Sequence, residues 1–115
     1  MERHMKKPFA ERQKKSQSQL VKDPKRVPVI ISRHYKSKMT GPEFFKVLTR
    51  KDSKLIHTLQ MIRSELKLDG DKTINLFHKN TMLKMDDTME AMYLTHKDKD
   101  GFLYLQFTDM ESLGH

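Results

Sequence analysis

The most reactive feature of the sequence is its C-terminus, where Leu113-Gly114-His115 closes a short polar tail. Glycine has no Cβ, so its carbonyl carbon is open to a nucleophile that approaches from a narrow active site. A glycine beside a free end therefore suits a protein that is itself the substrate of acyl transfer and donates its own C-terminus through Gly114. The tail alone favours the simpler interpretation, a frayed terminus in which the glycine has no chemical role.

The side chains that usually catalyse reactions or bind metals form no recognisable constellation. There is no cysteine, and no two of the six histidines have the i, i+3 or i+4 spacing that places two imidazoles on one helix face. The run Asp98-Lys99-Asp100-Gly101 is similar to a calcium-binding loop, but Phe107 stands where the final carboxylate ligand belongs. No phosphate-binding loop or serine-nucleophile motif occurs. The sequence therefore predicts no catalytic residue, no metal site and no cofactor.

Positive charge is concentrated in the first third of the chain. The 115 residues carry a net charge of +8, and residues 1–38 contain twelve Lys and Arg against three Asp and Glu. This predicts a basic face, which is either solvated or an electrostatic partner surface. The aromatic residues lie mostly in predicted core elements rather than among the basic residues, so nucleic-acid binding by base stacking is not predicted. No membrane-span-length apolar run or secretory signal is visible, which predicts a cytoplasmic protein.

The hydrophobic periodicity predicts an α+β fold. The most regular helix has apolar residues at 3–4 spacing, and either Asp52 or Ser53 is predicted as its N-cap. The predicted elements are a helix over 8–23, strands over 27–32 and 44–49, a helix over 55–66, a strand over 73–78, a short helix near Met89 and a strand over 102–107. Two strands, a helix crossing one face and further strands form the ubiquitin-like β-grasp arrangement, here with a four-stranded mixed sheet.

These elements divide the chain into three segments. Residues 1–24 form a helical N-terminal extension that is poor in apolar residues and ends at Pro24. Residues 25–108 form the β-grasp core. Residues 109–115 form a flexible C-terminal tail.

The sequence resembles the ubiquitin-like autophagy modifiers, the family of autophagy-related protein 8 and its animal relatives light chain three and the GABA-receptor-associated protein. The residues that carry the resemblance are Pro8-Phe9 with Arg12, Arg26-Val27-Pro28-Val29-Ile30, the segment from Asp52 to Arg63, Asn80-Thr81, Tyr93, His96 through Tyr104, and Gly114. The resemblance implies two N-terminal helices, trimming by a cysteine protease after Gly114, and activation by E1-like and E2-like enzymes. The product would be Gly114 amide-linked to phosphatidylethanolamine on autophagosomal membranes.

The resemblance also implies a site for cargo-receptor peptides of the form aromatic-x-x-aliphatic, which add a strand to the edge of the second strand. The aromatic pocket would use Pro28, Ile30, Lys46, Leu48 and Phe102, and Arg26 and Lys46 would attract acidic flanking residues. In the aliphatic pocket only Val47 and Met61 stay apolar, beside Thr49, Arg50, Ser53 and Thr58. Two further departures from the family pattern fall on the first pocket, namely Lys15 at an acidic position and Gln19 at an aliphatic one. The alternative is that all these positions are ordinary core and edge residues.

Two other functional hypotheses remain open from the sequence. One is a receptor-binding module that is never conjugated. The other is a microtubule- or nucleic-acid-binding protein that acts through its basic N-terminal face. Conjugation would place the protein on the autophagosome membrane after a cytoplasmic stage, whereas neither alternative involves Gly114.

Overall fold

The computed structural model describes residues 2–37, 39–68, 70 and 72–109, so residues 110–115 of the predicted tail, with Gly114, lie outside the described part of the chain. The elements in order are α1 (Glu2–Met5), α2 (Phe9–Lys22), β1 (Arg26–Arg33), β2 (Phe44–Arg50), α3 (Leu55–Leu66), β3 (Ile74–His78), β4 (Thr81–Met82), α4 (Met89–His96) and β5 (Leu103–Asp109). Helices and one mixed sheet confirm the predicted α+β ubiquitin-like class. No helix in these ranges is long and apolar enough to cross a membrane.

The sheet has five strands in the order β2-β1-β5-β3-β4, one more than the sequence predicted. The central pair β1–β5 is parallel, and the other neighbouring pairs are antiparallel. The additional strand is β4, whose residues Thr81 and Met82 pair with His78 and Phe77 of β3. Two exposed residues cannot show a two-residue hydrophobic period, so this strand left no signal in the sequence.

Helices cover both faces of the sheet. Val27, Val29 and Ile31 of β1 belong to the core cluster together with α3, while Pro28 and Ile30 point to the opposite face, where α2 packs. Val27 through Ser32 are consequently all buried. Burial on both faces explains why β1 reads as an unbroken apolar run rather than as an alternating one.

The helix α3 has the predicted apolar stripe but a different N-cap residue. Leu55 and Ile62 are fully buried and Leu59 nearly so. The predicted N-cap at Asp52 or Ser53 is wrong, because Lys54 occupies this position and its amide donates to His57 Nδ1 at 3.0 Å. The carboxylate of Asp52 instead accepts both guanidinium hydrogen bonds of Arg50. The ion pair with Arg50 therefore holds the Asp52 carboxylate that capping propensity predicted at the start of the helix.

We expect Ile62→Ala to lower the free energy of unfolding by about 2–5 kcal/mol, because it removes a fully buried side chain and leaves a cavity under the sheet. Gln60→Ala is the matched control on the exposed side of the same helix and should change stability by less than about 0.5 kcal/mol. Urea or thermal denaturation of both variants measures the difference. Equal stability of the two variants would contradict the assignment of the buried stripe.

Candidate functional site

The residues predicted to bind a peptide lie on and beside β2, which is an edge strand of the sheet. In the β1–β2 register Arg26 pairs with Arg50, Pro28 with Leu48 and Ile30 with Lys46. Directly paired residues share a face, so all six lie on the face covered by α2. Phe102 lies beside them, since the Lys46 ammonium is 5.7 Å from the centroid of its ring. The structure therefore brings together every residue predicted for the aromatic pocket.

The opposite face of β2 carries Val47 and Thr49 of the predicted second pocket, which pair with Val29 and Val27. Met61 belongs to α3, and both Met61 and Val47 pack against the core cluster. The edge of β2 thus has one cluster on each side of the sheet. In an extended peptide the side chains of residues i and i+3 point to opposite faces, so the aromatic-x-x-aliphatic spacing matches a strand added here.

The aromatic cluster is built around Phe102, which is fully buried beneath the N-terminal helices. The imidazole of His4 in α1 contacts this ring edge-on, with a centroid distance of 4.7 Å, and its Nε2 lies 2.8 Å from the hydroxyl of Tyr104. Burial, together with the positive charges of Lys46, Arg12 and Lys7, lowers the pKa of His4. A neutral imidazole is the form that packs against an aromatic ring in this basic surrounding.

The N-terminal helices are held in place by the fully buried carboxylate of Asp100. Its Oδ2 accepts a hydrogen bond from Arg12 Nε at 3.1 Å and another from the Tyr104 hydroxyl, while Oδ1 accepts from the Phe102 amide at 2.9 Å. The Arg12 guanidinium also donates to the carbonyls of Met5 and Lys7, at 3.1 and 2.9 Å. Arg12 thus connects α1, α2 and the start of β5.

The next residue, Gly101, allows α2 to approach closely. Its φ of +88° is a left-handed conformation that favours glycine, and a Cβ at this position would lie 2.2 Å from Ser16 Oγ. The Ser16 hydroxyl donates to the Asp100 carbonyl at 2.6 Å, and the Tyr93 hydroxyl donates to the Gly101 carbonyl at the same distance. The Asp100-Gly101 turn therefore forms a docking surface for α2.

Lysines stand at the opening of the aromatic cluster. The pKa of Lys46 is lowered to about 8, chiefly because its ammonium is partly buried. A hydrogen bond with Lys15 and the positive charges of Lys15 and Lys7 lower it further. Lys46 therefore lies among like charges, and an anion bound beside it would favour its charged form. The basic opening fits a ligand with acidic residues.

The second cluster is partly polar, as the sequence predicted. The Ser53 hydroxyl donates to the Arg50 carbonyl at 2.7 Å, and the Thr58 hydroxyl lies 3.5 Å from Met89 Sδ. Thr49 Oγ1 is buried and has no hydrogen-bond partner among the described residues. Arg50 was also predicted to line this pocket, but it pairs with Arg26 and so lies on the face covered by α2. Its guanidinium forms a bidentate ion pair with Asp52.

Unpartnered buried polar atoms occur at the two clusters. In the described part of the chain they are His4 Nδ1, Gln19 Oε1 and Thr49 Oγ1. His4 contacts Phe102, Gln19 is one helical turn beyond Lys15 on α2, and Thr49 lies on β2. A buried polar atom without a partner costs free energy, so both clusters are less stable than fully hydrogen-bonded ones would be.

Sequence reasoning assigned no role to several residues that shape the site, namely His4, Ser16, Asp100 and Tyr104. The signals were present but not specific: a serine on the apolar-poor helix α2, and an Asp-Gly pair that suggests a turn. Within the described ranges, no group of three His, Asp or Glu side chains is arranged to hold a metal ion.

Comparison with known proteins agrees with the resemblance. A family model described as "Autophagy protein Atg8 ubiquitin like" matches residues 11–114. Autophagy-related protein 8h of Arabidopsis thaliana is 32% identical over 104 residues, which are 90% of this chain and 87% of that protein. Autophagy-related protein 8 of Kluyveromyces lactis is 33% identical over 107 residues, or 93% of this chain and 86% of its own length.

The fold agrees as well. The crystal structure of Trypanosoma brucei ATG8 superposes with a TM-score of 0.87 at 25% identity, covering 96% of this chain and 95% of that one. With the family model matching most of the chain and relatives above 30% identity aligned over nine-tenths of it, the protein belongs to the Atg8 family of ubiquitin-like autophagy proteins.

Proposed function

We propose that this protein is a ubiquitin-like modifier that is cleaved after Gly114, conjugated to phosphatidylethanolamine on autophagosomal membranes, and used there to recruit cargo receptors. The observation that carries the proposal is the family match, which runs through residue 114 and so includes the glycine. The partners are a processing cysteine protease, E1-like and E2-like conjugation enzymes, and receptor peptides. In this scheme the chain is a substrate and not an enzyme.

The chemistry takes place at the Gly114 carbonyl. Hydrolysis of the Gly114–His115 bond consumes one water molecule, releases His115 and leaves a glycine carboxylate. The conjugation enzymes activate this carboxylate at the expense of a nucleoside triphosphate by joining its carbonyl carbon to a leaving group. The primary amine of phosphatidylethanolamine then attacks that carbonyl, displaces the leaving group, loses a proton and forms the amide. A side chain on residue 114 would crowd both attacks, which is why glycine suits this position.

Receptor recruitment follows from the exposed edge of β2. An edge strand presents backbone N–H and C=O groups that can pair with an added strand. The peptide's aromatic side chain would enter the cluster around Phe102, and its aliphatic side chain would reach Val47 and Met61 on the other face. Polar lining by Thr49 favours a receptor that binds mainly through its aromatic residue and through its acidic charges.

We expect Gly114→Ala to prevent processing and membrane conjugation without changing the fold. Intact-mass measurement after incubation with the cognate protease should show loss of His115 alone from the wild-type protein and an unchanged mass for the variant. His115→Ala is the matched control, since it alters only the released residue and should still be cleaved. In cells the variant should be diffuse where the wild type forms puncta, and puncta that persist would favour the receptor-binding module that is never conjugated.

The lowered pKa of Lys46 predicts that receptor binding depends on pH. Because this pKa is about 8, Lys46 is charged below that pH and becomes neutral above it. An acidic receptor peptide should therefore bind more weakly at about pH 9 than at about pH 7, whereas Lys46→Arg should keep its charge and its affinity across this range. Peptide titrations at fixed ionic strength compare the two proteins. The same loss of affinity in both would mean that Lys46 does not contact the acidic residues.

A further inference from the structure

A second concave site lies away from the β2 edge, on the middle strands of the sheet. It is a cavity of about 350 Å³ between the end of β3, the C-terminal end of α4 and the strands β1 and β5. Small-molecule sites commonly have volumes of about 300–1,000 Å³. None of the residues predicted for peptide binding lines this cavity. It is therefore a distinct candidate site.

Two histidines from separate elements meet at this cavity. The rings of His78 and His96 lie 4.3 Å apart between centroids, with an angle of 31° between their planes. Burial lowers the pKa of His78, and the nearby positive charges of His96 and Lys79 lower it further. Two imidazolium rings at this separation would repel each other, so the pair favours one neutral ring unless an anion lies beside it.

A lysine follows each of the two histidines in the sequence. Lys79 and Lys97 line the cavity, and both side chains are exposed. Lys79 has a φ of +57° in the two-residue turn between β3 and β4, a left-handed conformation that is unfavourable for a residue with a Cβ. The turn thus holds the Lys79 side chain at the cavity at a cost in backbone strain.

The remaining charged and titratable groups leave the cavity basic. Asp98 is the carboxylate that lines it, and its Oδ2 accepts a hydrogen bond from the Asp100 amide at 3.0 Å. The Tyr104 hydroxyl donates its hydrogen bond to Asp100, so this donor is not available to a ligand in the cavity. Ser32, Thr95 and Gln106 add uncharged hydrogen-bonding groups to the lining. Four basic side chains thus face one carboxylate that already has a partner.

We propose that this cavity binds a phosphate monoester carried by a small polyhydroxyl group, such as a phosphorylated sugar or inositol. The phosphate lies against His78, His96, Lys79 and Lys97, whose charge-assisted hydrogen bonds match its oxygens. The hydroxyl groups of the ligand pair with Ser32, Thr95 and Gln106. The bound anion favours the charged form of His78, so binding takes up protons and strengthens as the pH falls from neutral.

The imidazole rings provide the direct test, because their signals can be followed residue by residue by NMR. With myo-inositol 1-phosphate as the probe, the pKa of His78 should rise, since a nearby opposite charge favours the protonated form. The ring signals of His96 should shift on binding, whereas those of His57, which is exposed on α3 and does not line the cavity, should not. An unchanged titration of His78 at saturating probe concentration, with unshifted ring signals of His96, would overturn the proposal.

Lys79→Ala and Lys97→Ala are the variants of choice, because both side chains are exposed and their removal should leave the fold intact. Each should weaken binding of the probe about tenfold, as expected for the loss of a hydrogen bond to a charged group. Lys54→Ala, at an exposed lysine outside the cavity, should leave the affinity unchanged. Equal weakening by all three would show general charge attraction instead of a site.

Binding measurements with other ligands identify the source of the phosphate ester. Phosphatidylcholine vesicles with and without phosphatidylinositol 4-phosphate test a lipid headgroup, and glucose 6-phosphate tests a soluble metabolite. Lys79-dependent binding to either one supports the shared chemistry and assigns its source. Inorganic phosphate that binds as tightly as all the esters would overturn the polyhydroxyl part of the proposal. The test uses unconjugated protein, so its outcome is independent of Gly114.

Discussion

The ion pair between Asp100 and Arg12 is the interaction on which the candidate site depends. Asp100 is fully buried, and the residues it contacts belong to α2 and to β5 with its preceding turn. A buried carboxylate is tolerated only when its charge is paired and its oxygens are hydrogen-bonded. The requirement is met only if the N-terminal helices dock on the sheet, and docking is what encloses Phe102 and places Lys15 beside Lys46.

Packing helices on both faces of a single sheet has a consequence for binding. The central strands β1 and β5 become buried, whereas β2 stays at the edge with a different helix on each side. A peptide strand added at this edge therefore meets two different surfaces through alternate side chains. One surface is aromatic and basic, around Phe102 and Lys46, and the other is aliphatic and hydroxylated, around Val47 and Thr49. The geometry of this edge strand is therefore consistent with the proposed class of peptide ligand.

The sequence predicted those elements whose signals are local. The apolar stripe of α3 and the alternating strand that includes Leu103 and Leu105 were recognisable because each follows one period over consecutive residues. The cap at Lys54 and the short strand β4 were not recognisable in the sequence, since tertiary contacts determine both. Arg12 and Asp100 are 88 residues apart, and no periodicity links two positions at that distance. Resemblance to a family identified both residues as characteristic, but only the structure shows that they pair with each other.

Amide hydrogen exchange of Asp100→Asn is the most direct test of the central claim that this carboxylate holds the N-terminal helices on the sheet. The substitution preserves shape but removes the charge that pairs with Arg12, and Asp86→Asn makes the same charge change at an exposed position. Relative to both the wild type and Asp86→Asn, the amides of α2 should exchange faster in Asp100→Asn, while those of α3 keep their protection. Unchanged protection of α2 in Asp100→Asn would show that the helices dock without the buried ion pair and would contradict this claim.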